Sequence, residues 1–429
     1  MLSGPGTETE PLIRVALRDN PRRRQLLVSR VLGKHIPARP PAIRGAATQL
    51  AECVGAALAQ AGIDPTVPLT VLGFAETATS LSECVAETLR ATRSGHSTRY
   101  APPDAHIQYT FVEEHSHASD HAIVAGVVPQ VVPGARPDSV IVLVDDELTT
   151  GRTALNVVQE IARAHPHSVF MIAALLDARS PQAGRAMRQR MLALDVCVLV
   201  CALTVIDDEQ VSAAVDHFGT LSRAAPPRPT ADHPGADRPA AASTAVTIDA
   251  QLPVGMTAGA RSGWSRVDRL AAIAQSQRVS QVLGAALGAM LAARPGASVA
   301  DSDILVLGTE EFQYFPLHVA AALDAMGTVG RVWSSSTTRS PGLVLDEPGY
   351  GLRSGIRFVI DVPGSAQSVR FAYNVAAAPT TDRPFDAIIV CCDDVVTAAA
   401  CRGTGGLVQS LATLTEQIVL VQFISGGRS

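Results

Sequence analysis

Apolar residues along the chain fall into short continuous runs, separated by longer stretches in which apolar positions recur at helical spacing. The runs at residues 69–74, 140–144 and 196–203 lack polar alternation, which is typical of strands buried on both faces. Helical spacing follows two of them, at residues 80–92 and 153–165. This alternation predicts an α/β fold with mainly parallel sheets flanked by helices, in which ligands bind beyond the carboxyl ends of the strands.

Residues 222–245 break this alternation, because they are rich in Pro, Ala, Arg and Asp and show no periodicity. Such a segment buries too little apolar surface to offset the entropy lost on ordering, so it predicts a flexible linker. We therefore expect one domain at residues 1–221 and a second domain at residues 246–429. The 429 residues, 47% of them hydrophobic, are enough to form two buried cores.

The two predicted domains share three short patterns in the same order along the chain. The matching pairs are residues 68–76 with 303–311, 95–99 with 335–339, and 138–146 with 386–394. Strands that end in Gly or Asp are common, so each match is weak alone, whereas three matches in one order indicate a repeat. The second domain is therefore predicted to be a diverged copy of the first fold, which requires the same strand order in both.

Residues 140–153, VIVLVDDELTTGRT, carry the strongest chemical pattern in the chain. The apolar run predicts a buried strand, and Asp145 and Asp146 at its carboxyl end are suited to accept hydrogen bonds from two neighbouring hydroxyls. The turn that follows opens a helix, whose first N–H groups and Thr hydroxyls form a phosphate site. Gly151 permits the tight turn that this needs. The predicted phosphate-binding residues of the turn are Thr149, Thr150, Gly151, Arg152 and Thr153.

This pattern resembles the motif with which type I phosphoribosyltransferases bind 5-phosphoribosyl diphosphate (PRPP). The resemblance implies a glycosyltransferase of the pentosyl class that moves a 5-phosphoribosyl group between PRPP and a nucleobase-like nitrogen acceptor, in either direction, as part of nucleotide metabolism. It implies Mg2+ as cofactor, with Asp145 and Asp146 as metal-binding and catalytic residues. The expected ligands are PRPP, diphosphate and a nucleobase-like small molecule.

Further candidates flank this motif. Residues 73–80 follow a predicted strand and precede a helix, and the resemblance implies that Ala75, Glu76 and Thr77 bind the diphosphate of PRPP. Arg99 is the preferred catalytic residue of the basic loop at 92–100, because its local pattern recurs at Arg339. The alternative for each segment is an ordinary helix cap or a solvated loop.

Two more candidates come from residue types that stand out. Lys34 is the only lysine in the chain and is predicted to bind a PRPP phosphate. Residues 111–121 are dense in His and Glu, and we expect Glu114 and His115 to shape the substrate pocket or to transfer protons. A transition-metal site in the same segment is the alternative, although its spacing matches no standard zinc site.

Residues 338–341 read Thr-Arg-Ser-Pro, the signature that names the TRSP domain, and the resemblance extends to residues 32–37, 113–118 and 308–312. In that family the domain follows an orotate-phosphoribosyltransferase-like domain in proteins of bacterial tellurite-resistance and stress gene clusters. The resemblance therefore implies a homodimer or partner proteins of the same cluster. The candidate site residues of the second domain are Glu310, Glu311, Thr338, Arg339, Ser340 and Tyr350.

Two departures from the family pattern limit which of the family's functions we expect of this chain. After Asp393 and Asp394 the second copy reads VVTAAA, so it lacks the Thr-Gly-containing turn, and we predict that it does not bind PRPP in the usual way. Orotate enzymes supply lysines from a closing loop, and this chain has no lysine after Lys34. Orotate is therefore disfavoured as the acceptor.

Composition limits the remaining possibilities. A net charge of −5 indicates neither a nucleic-acid nor a membrane partner. Seven scattered cysteines without a CxxC pair, and a start without a secretory signal, favour a cytoplasmic protein. A catalytically inactive protein that senses PRPP or a nucleotide, with a regulatory or assembly role, remains the alternative to an enzyme.

Overall fold

The structure is a computed structural model that describes residues 12–18, 20, 24–101, 105–112, 120–128, 139–206, 208–224, 245–294, 296, 298–362 and 368–427. The chain divides into two compact units. The first unit comprises Arg44–Gln210 and Gly259–Leu270. The second unit comprises Met1–Ile43, Val211–Ala258 and Ala271–Ser429.

The described strands and helices are numbered here in chain order. The strands are β1 (Ile13–Leu17), β2 (Gln25–Ser29), β3 (Leu69–Gly73), β4 (Arg93–His96), β5 (Ile107–Val112), β6 (Asp120–Val124), β7 (Val140–Leu148), β8 (Val169–Asp177), β9 (Val198–Val205), β10 (Val246–Val254), β11 (Trp264–Ser265), β12 (Asp303–Gly308), β13 (Arg331–Ser336), β14 (Gly355–Ile360), β15 (Ser368–Tyr373), β16 (Ala387–Cys392) and β17 (Ile418–Gly426). The helices are α1 (Pro40–Gln60), α2 (Thr79–Thr88), α3 (Arg152–Ala162), α4 (Pro181–Ala193), α5 (Asp208–Ala224), α6 (Arg266–Ala292), α7 (Tyr314–Met326), α8 (Ala398–Cys401) and α9 (Leu407–Leu411).

The first unit is built on a six-stranded sheet with the order β11-β4-β3-β7-β8-β9. Its pairings are parallel except that of β11, which runs antiparallel to β4. The central strands are apolar on both faces because helices cover both, and all five residues of Val140–Val144 are buried. Helix α3 packs on the sheet through Leu155, Val158 and Ile161, which its helical spacing places on one face.

The second unit is built on a five-stranded parallel sheet with the order β10-β17-β16-β12-β13. Four of its strands, β13-β12-β16-β17, repeat the order β4-β3-β7-β8 of the first unit. In each unit an antiparallel hairpin, β5–β6 or β14–β15, is inserted at the same point of the chain order. The prediction of a diverged second copy is therefore confirmed. The copies differ at the fifth strand, which follows the others in the first unit (β9) and precedes them in the second (β10).

The compact units differ from the predicted domains at both ends of the repeat. The hairpin β1–β2 packs into the core of the second unit, where Leu17 and Val28 belong to the same buried cluster as Tyr350 and Tyr373. The chain then follows β13, with Ala38 paired to Ser334. Conversely, β11 lies beyond the predicted linker but belongs to the first sheet. Local hydrophobic pattern does not specify which sheet edge a strand joins, so this exchange depends on tertiary contacts.

The predicted linker is only partly described. Helix α5 runs through residues 222–224 and β10 begins at Val246, while residues 225–244 lie outside the described residues. None of the helices in the described part of the chain combines the length and apolar character needed to cross a membrane.

A buried polar network ties the segment after the linker to the first unit. Glu83 of α2 is 1% exposed, and its carboxylate accepts a hydrogen bond from Ser94 Oγ at 2.6 Å. Arg269 donates to the same hydroxyl at 2.6 Å and to the carbonyl oxygen of Ala91. Burial raises the pKa of Glu83 from 4.5 to about 7, because desolvation of the carboxylate outweighs the hydrogen bond from Ser94 and the attraction of Arg269.

Replacing Glu83 by Gln is expected to stabilise the protein above pH 7 and to leave its stability nearly unchanged at pH 5. The folded protein holds the Glu83 proton more tightly than the unfolded chain, so stability is lost as the pH rises from 4.5 through about 7. Thermal unfolding should show E83Q melting about 5 °C above wild type at pH 8.

The control for this substitution is Glu160→Gln, which removes an exposed carboxylate from an i,i+3 pair with Arg163. It is expected to shift the melting temperature little at either pH. Equal shifts of the E83Q variant at pH 5 and pH 8 would contradict a titrating buried carboxyl group.

Candidate active site

Three loops leave the first sheet at the carboxyl ends of neighbouring strands. Gly73, the last residue of β3, is in register with His96 of β4 on one side and with Val144 of β7 on the other. The N–H of Phe74 donates to the carbonyl oxygen of Val144 at 3.0 Å, so the loop after β3 starts against β7. The sheet therefore starts the loops after β3 and β4 side by side, while β7 continues past them to Leu148 before its own loop begins. All three loops leave the carboxyl edge of the sheet, where parallel sheets bind their ligands.

The loop after β3 holds the predicted diphosphate residues. The N–H of Ala75 donates to Ser97 Oγ, in the loop after β4, at 3.0 Å. The Ala75–Glu76 peptide is cis. Glu76 is 6% exposed and Thr77 is partly buried. The N–H groups of this loop thus lie in a buried turn fixed to its neighbours, although a carboxylate lies among them.

The loop after β7 holds the predicted phosphate residues. Strand β7 runs to Leu148 and α3 begins at Arg152, so the turn spans Thr149–Gly151. Gly151 has a φ of 71°, and a Cβ atom there would lie 2.3 Å from Met187 Sδ. Any other residue would strain the turn and collide with α4, so the backbone at this position requires glycine.

The start of α3 has the features of an anion site. No side chain caps the helix, whose N-cap residue is Gly151. The N–H of Arg152 donates to Thr150 Oγ1 at 3.3 Å, and Thr153 follows in the first turn. The first N–H groups of a helix have no carbonyl partner within it, and the helix dipole places positive potential there. A phosphate group fits this end of α3 on chemical grounds.

Asp145 and Asp146 lie in the second half of β7 and are both partly buried. The N–H of Asp146 donates to Asp145 Oδ1 at 2.9 Å, which orients that carboxylate. Carboxylate oxygens are hard ligands for Mg2+ and accept hydrogen bonds from sugar hydroxyls. The two acids therefore lie on the strand that leads directly into the turn Thr149–Gly151.

Arg99 of the loop after β4 is oriented by a residue that the sequence analysis did not single out. Its Nε–H donates to His121 Nε2 at 3.1 Å. His121 Nδ1 lies 3.3 Å from Ser97 Oγ, the hydroxyl that also binds the loop after β3. His121 stood only as one of several histidines in residues 111–121, because its contacts join three segments that are distant in sequence.

Three predicted residues lie outside this group. Glu114 and His115 lie outside the described residues, so their roles stay predictions. Lys34 belongs to the second unit, where it is 3% exposed and its carbonyl oxygen accepts a hydrogen bond from Ser335 Oγ at 2.9 Å.

The second unit repeats the backbone of the site closely. The N–H of Glu310 donates to Thr337 Oγ1 at 3.0 Å, as the N–H of Ala75 does to Ser97. Thr338 forms two backbone hydrogen bonds with Phe371, each of 2.8 Å. Thr98 pairs with Ala122 in the same way, at 2.8 and 2.9 Å. The N–H of Ser340 donates to Thr338 Oγ1 at 3.1 Å, matching Tyr100 and Thr98 at 2.9 Å. Arg339 is therefore the structural counterpart of Arg99.

The side chains of the second copy are engaged with one another. The carboxylate of Glu310 forms an ion pair with Arg370, and both side chains are 1% exposed. Asp393 is fully buried, and its carboxylate accepts the N–H groups of Val395 and Val396 at 3.0 and 2.7 Å. These contacts support the prediction that this copy does not bind PRPP in the usual way. Glu311 is also buried, at 3% exposure.

Tyr350, one of the predicted residues of a second-domain site, lies in the core of the second unit. Its side chain is fully buried, its oxygen accepts the N–H of Leu17 at 2.8 Å, and its O–H donates to the carbonyl oxygen of Leu343 at 2.9 Å. Burial raises the pKa of Tyr350 to about 12. The hydroxyl is used to join β1 to the second unit, so Tyr350 is a core residue. Its Gly-flanked position gave no sign of that pairing.

Family comparisons cover both units. Residues 12–205 match the model of a phosphoribosyl transferase family. Residues 258–411 match the model of the TRSP domain, described as C-terminal to that family. None of the curated proteins matches the sequence significantly.

Solved structures of phosphoribosyltransferases are similar to about half of the chain. Adenine phosphoribosyltransferase from Rhodothermus marinus is 18% identical, over 46% of this chain and 94% of its own, with a TM-score of 0.30. The Trypanosoma brucei enzyme, solved with AMP, pyrophosphate and ribose-5-phosphate, is 14% identical over 47% of this chain and 77% of its own, with a TM-score of 0.32. Orotate phosphoribosyltransferase from Aeropyrum pernix is 16% identical over 48% of this chain and 93% of its own, with a TM-score of 0.28.

Removing one member of the buried ion pair in the second unit is expected to destabilise the protein strongly. The variant Arg370→Met leaves the Glu310 carboxylate buried without its cation, which costs about 3–5 kcal/mol of unfolding free energy. The double variant with Glu310→Gln should recover most of this loss, because no charge is then buried. Chemical unfolding of the three proteins measures both effects.

The matched control is Arg353→Met, which breaks a pair with Asp346 whose side chains are 40% and 54% exposed. An exposed pair contributes about 0–1 kcal/mol. The interpretation of the pair in the second unit is wrong if R370M is no less stable than R353M.

Proposed function

Since the chain belongs to the phosphoribosyltransferase family that carries a C-terminal TRSP domain, we propose that its first unit transfers a 5-phosphoribosyl group between PRPP and a nucleobase-like nitrogen acceptor, with Mg2+ as cofactor. Membership of this family makes it a glycosyltransferase of the pentosyl class. The observation that carries the proposal is the register of β4, β3 and β7, which starts the loops after β4 and β3 at the level of Val144, next to Asp145 and Asp146 on the continuing strand β7.

The 5-phosphate of PRPP is assigned to the start of α3. The residues that would hold it are Thr149, Thr150, Gly151, Arg152 and Thr153. The uncapped helix end supplies N–H donors and positive potential, and the neighbouring threonines supply hydroxyls. A dianionic phosphate is the ligand that gains most from this combination.

Asp145 and Asp146 are assigned to the ribose hydroxyls and to Mg2+. The donor set fits this ion, because two partly buried carboxylates offer the hard oxygen ligands that Mg2+ prefers. When bound, Mg2+ would neutralise charge on the departing diphosphate. The residues of the chain then have to hold the ribose so that its C1 carbon faces the acceptor nitrogen.

The diphosphate is assigned to the loop after β3 and to Arg99. Backbone N–H groups of Ala75, Glu76 and Thr77 suit its oxygens, and the guanidinium of Arg99 supplies positive charge from the loop after β4. Since bond breaking at C1 places charge on the diphosphate and on the ribose ring, catalysis here is mostly positioning and electrostatic stabilisation. Glu114 and His115 are retained as the proposed groups for the acceptor and its proton.

The proposal predicts that the protein binds PRPP in the presence of Mg2+, as measured by isothermal titration calorimetry. The double variant with Asp145→Asn and Asp146→Asn is expected to bind at least tenfold more weakly, because neutral amides replace the charged acceptors of the ribose hydroxyls. The matched control is Asp394→Asn, in the corresponding exposed position of the second copy, which should bind as wild type.

No heat of binding from the wild-type protein, or an unchanged affinity in the double variant, would refute the proposed donor site. Weakening by Asp394→Asn to the same extent would assign PRPP to the second unit instead.

Turnover separates the enzyme from a protein that only senses PRPP. We expect diphosphate to be released from PRPP and Mg2+ when a suitable nitrogen base is added, and not without a base. The measurement is a coupled diphosphate assay with adenine, hypoxanthine and orotate, together with the reverse reaction from the matching nucleotides. Orotate is expected to be the poorest acceptor, because the chain lacks lysine after Lys34. Binding of PRPP without turnover in either direction would favour the sensing alternative.

A further inference from the structure

The hairpin β5–β6 places one buried histidine against the proposed diphosphate loop. His121 is the second residue of β6 and is 1% exposed. Its ring lies 5.2 Å from the ring of Phe111, its register partner on β5, measured between centroids. Phe111 in turn packs edge-on against Phe74, at 5.8 Å. The imidazole is therefore fixed by aromatic packing on the strand that carries it.

Both ring nitrogens of His121 have polar neighbours. Nε2 lies 3.1 Å from the Nε–H of Arg99, which can only donate, so Nε2 is the acceptor. The neutral ring then carries its proton on Nδ1, which lies 3.3 Å from Ser97 Oγ. Ser97 Oγ also accepts the N–H of Ala75. A continuous path of hydrogen bonds thus runs from the loop after β3, through Ser97 and His121, to the guanidinium of Arg99.

The internal repeat supports the interpretation that a side-chain contact at this position is a feature of the fold. Ala122 pairs with Thr98 in the first unit and Phe371 pairs with Thr338 in the second, so His121 and Arg370 occupy equivalent places. Arg370 contacts Glu310, the residue that corresponds to Ala75. In both copies this hairpin residue therefore connects the hairpin to one of the two loops whose backbone hydrogen bonds the copies share.

The chemistry of a neutral imidazole differs from that of the ion pair in the second copy. A carboxylate beside Arg99 would fix the guanidinium but would also cancel its charge. A neutral acceptor fixes the Nε–H and adds no negative charge of its own beside the guanidinium. His121 can therefore orient Arg99 without itself neutralising it.

We propose that His121 is a positioning residue for PRPP, which orients the Arg99 guanidinium toward the diphosphate and joins it to the loop after β3. This inference rests on the proposed function of the first unit. It predicts that His121 acts on PRPP binding through Arg99 and not through general stability.

A double-mutant cycle tests the inference, with PRPP affinity measured by calorimetry in the presence of Mg2+. The single variants are His121→Phe, which keeps an aromatic ring against Phe111, and Arg99→Met. Each is expected to weaken binding about tenfold, since a hydrogen bond to a charged group is lost or misaligned. The double variant should bind no more weakly than Arg99→Met alone, because His121 then has no guanidinium to orient.

Two further variants distinguish a loss of PRPP affinity caused by misplacing Arg99 from one caused by general loss of structure. His121→Gln offers an amide oxygen that can accept from Arg99, and it is expected to bind PRPP within about threefold of wild type. His165→Gln replaces another buried histidine of the same unit, just after α3, and should leave affinity unchanged. Melting temperatures of all variants are measured alongside.

Additive losses in the double variant, or a loss in His121→Gln as large as in His121→Phe, would overturn the positioning role of His121 while leaving the proposed function intact. Absence of PRPP binding by the wild-type protein would overturn both. A tenfold loss in His121→Phe that disappears in the Arg99→Met background, with rescue by His121→Gln, supports the inference.

Discussion

Gly73 ends strand β3 of the first sheet at the level where its neighbour β4 also ends, and the proposed site depends on how closely the chain packs there. A Cβ atom on Gly73 would lie 2.2 Å from Ser82 Oγ of α2, and one on Gly308 would lie 2.4 Å from the carbonyl oxygen of Phe312. Because both positions lack a side chain, the next turn can fold directly over the strand end. The loop N–H two residues later then reaches the hydroxyl beyond the adjacent strand, Ser97 or Thr337.

This shared frame carries different side chains at the turn in the two copies. In the first, Ala75 has no charged group, and the buried carboxylate of the turn belongs to the next residue, Glu76. In the second, the carboxylate of Glu310 occupies the corresponding position and is neutralised by Arg370 within the protein. Groups that are buried and already paired are costly to separate, so the second copy cannot offer them to a ligand. The second copy can therefore keep the backbone of the site while its side chains pair with one another.

The two units also exchange segments along the chain. The strand β11 and the buried Arg269 follow the predicted linker but complete the first unit, whereas the hairpin β1–β2 precedes the first sheet and completes the second. Neither unit is contiguous in sequence. A cut within residues 225–244 would remove β11 and the cation that neighbours Glu83 from the first unit, so the two copies are not independent pieces of chain.

The sequence by itself determined the elements and chemistry that depend on neighbouring residues. Apolar runs marked β3, β7 and β9, the turn after β7 was identified from its Thr-Gly pattern, and the order of three short matches identified the repeat. Strand β7 extends beyond its apolar run to Leu148, because pairing with β8 continues to Asp177. The tertiary structure decided what depends on distant partners: the exchange of β1–β2 and β11, the burial of Tyr350, and the contact of His121 with Arg99. Local pattern records the spacing of apolar residues, whereas these contacts arise only when strands far apart in sequence lie side by side.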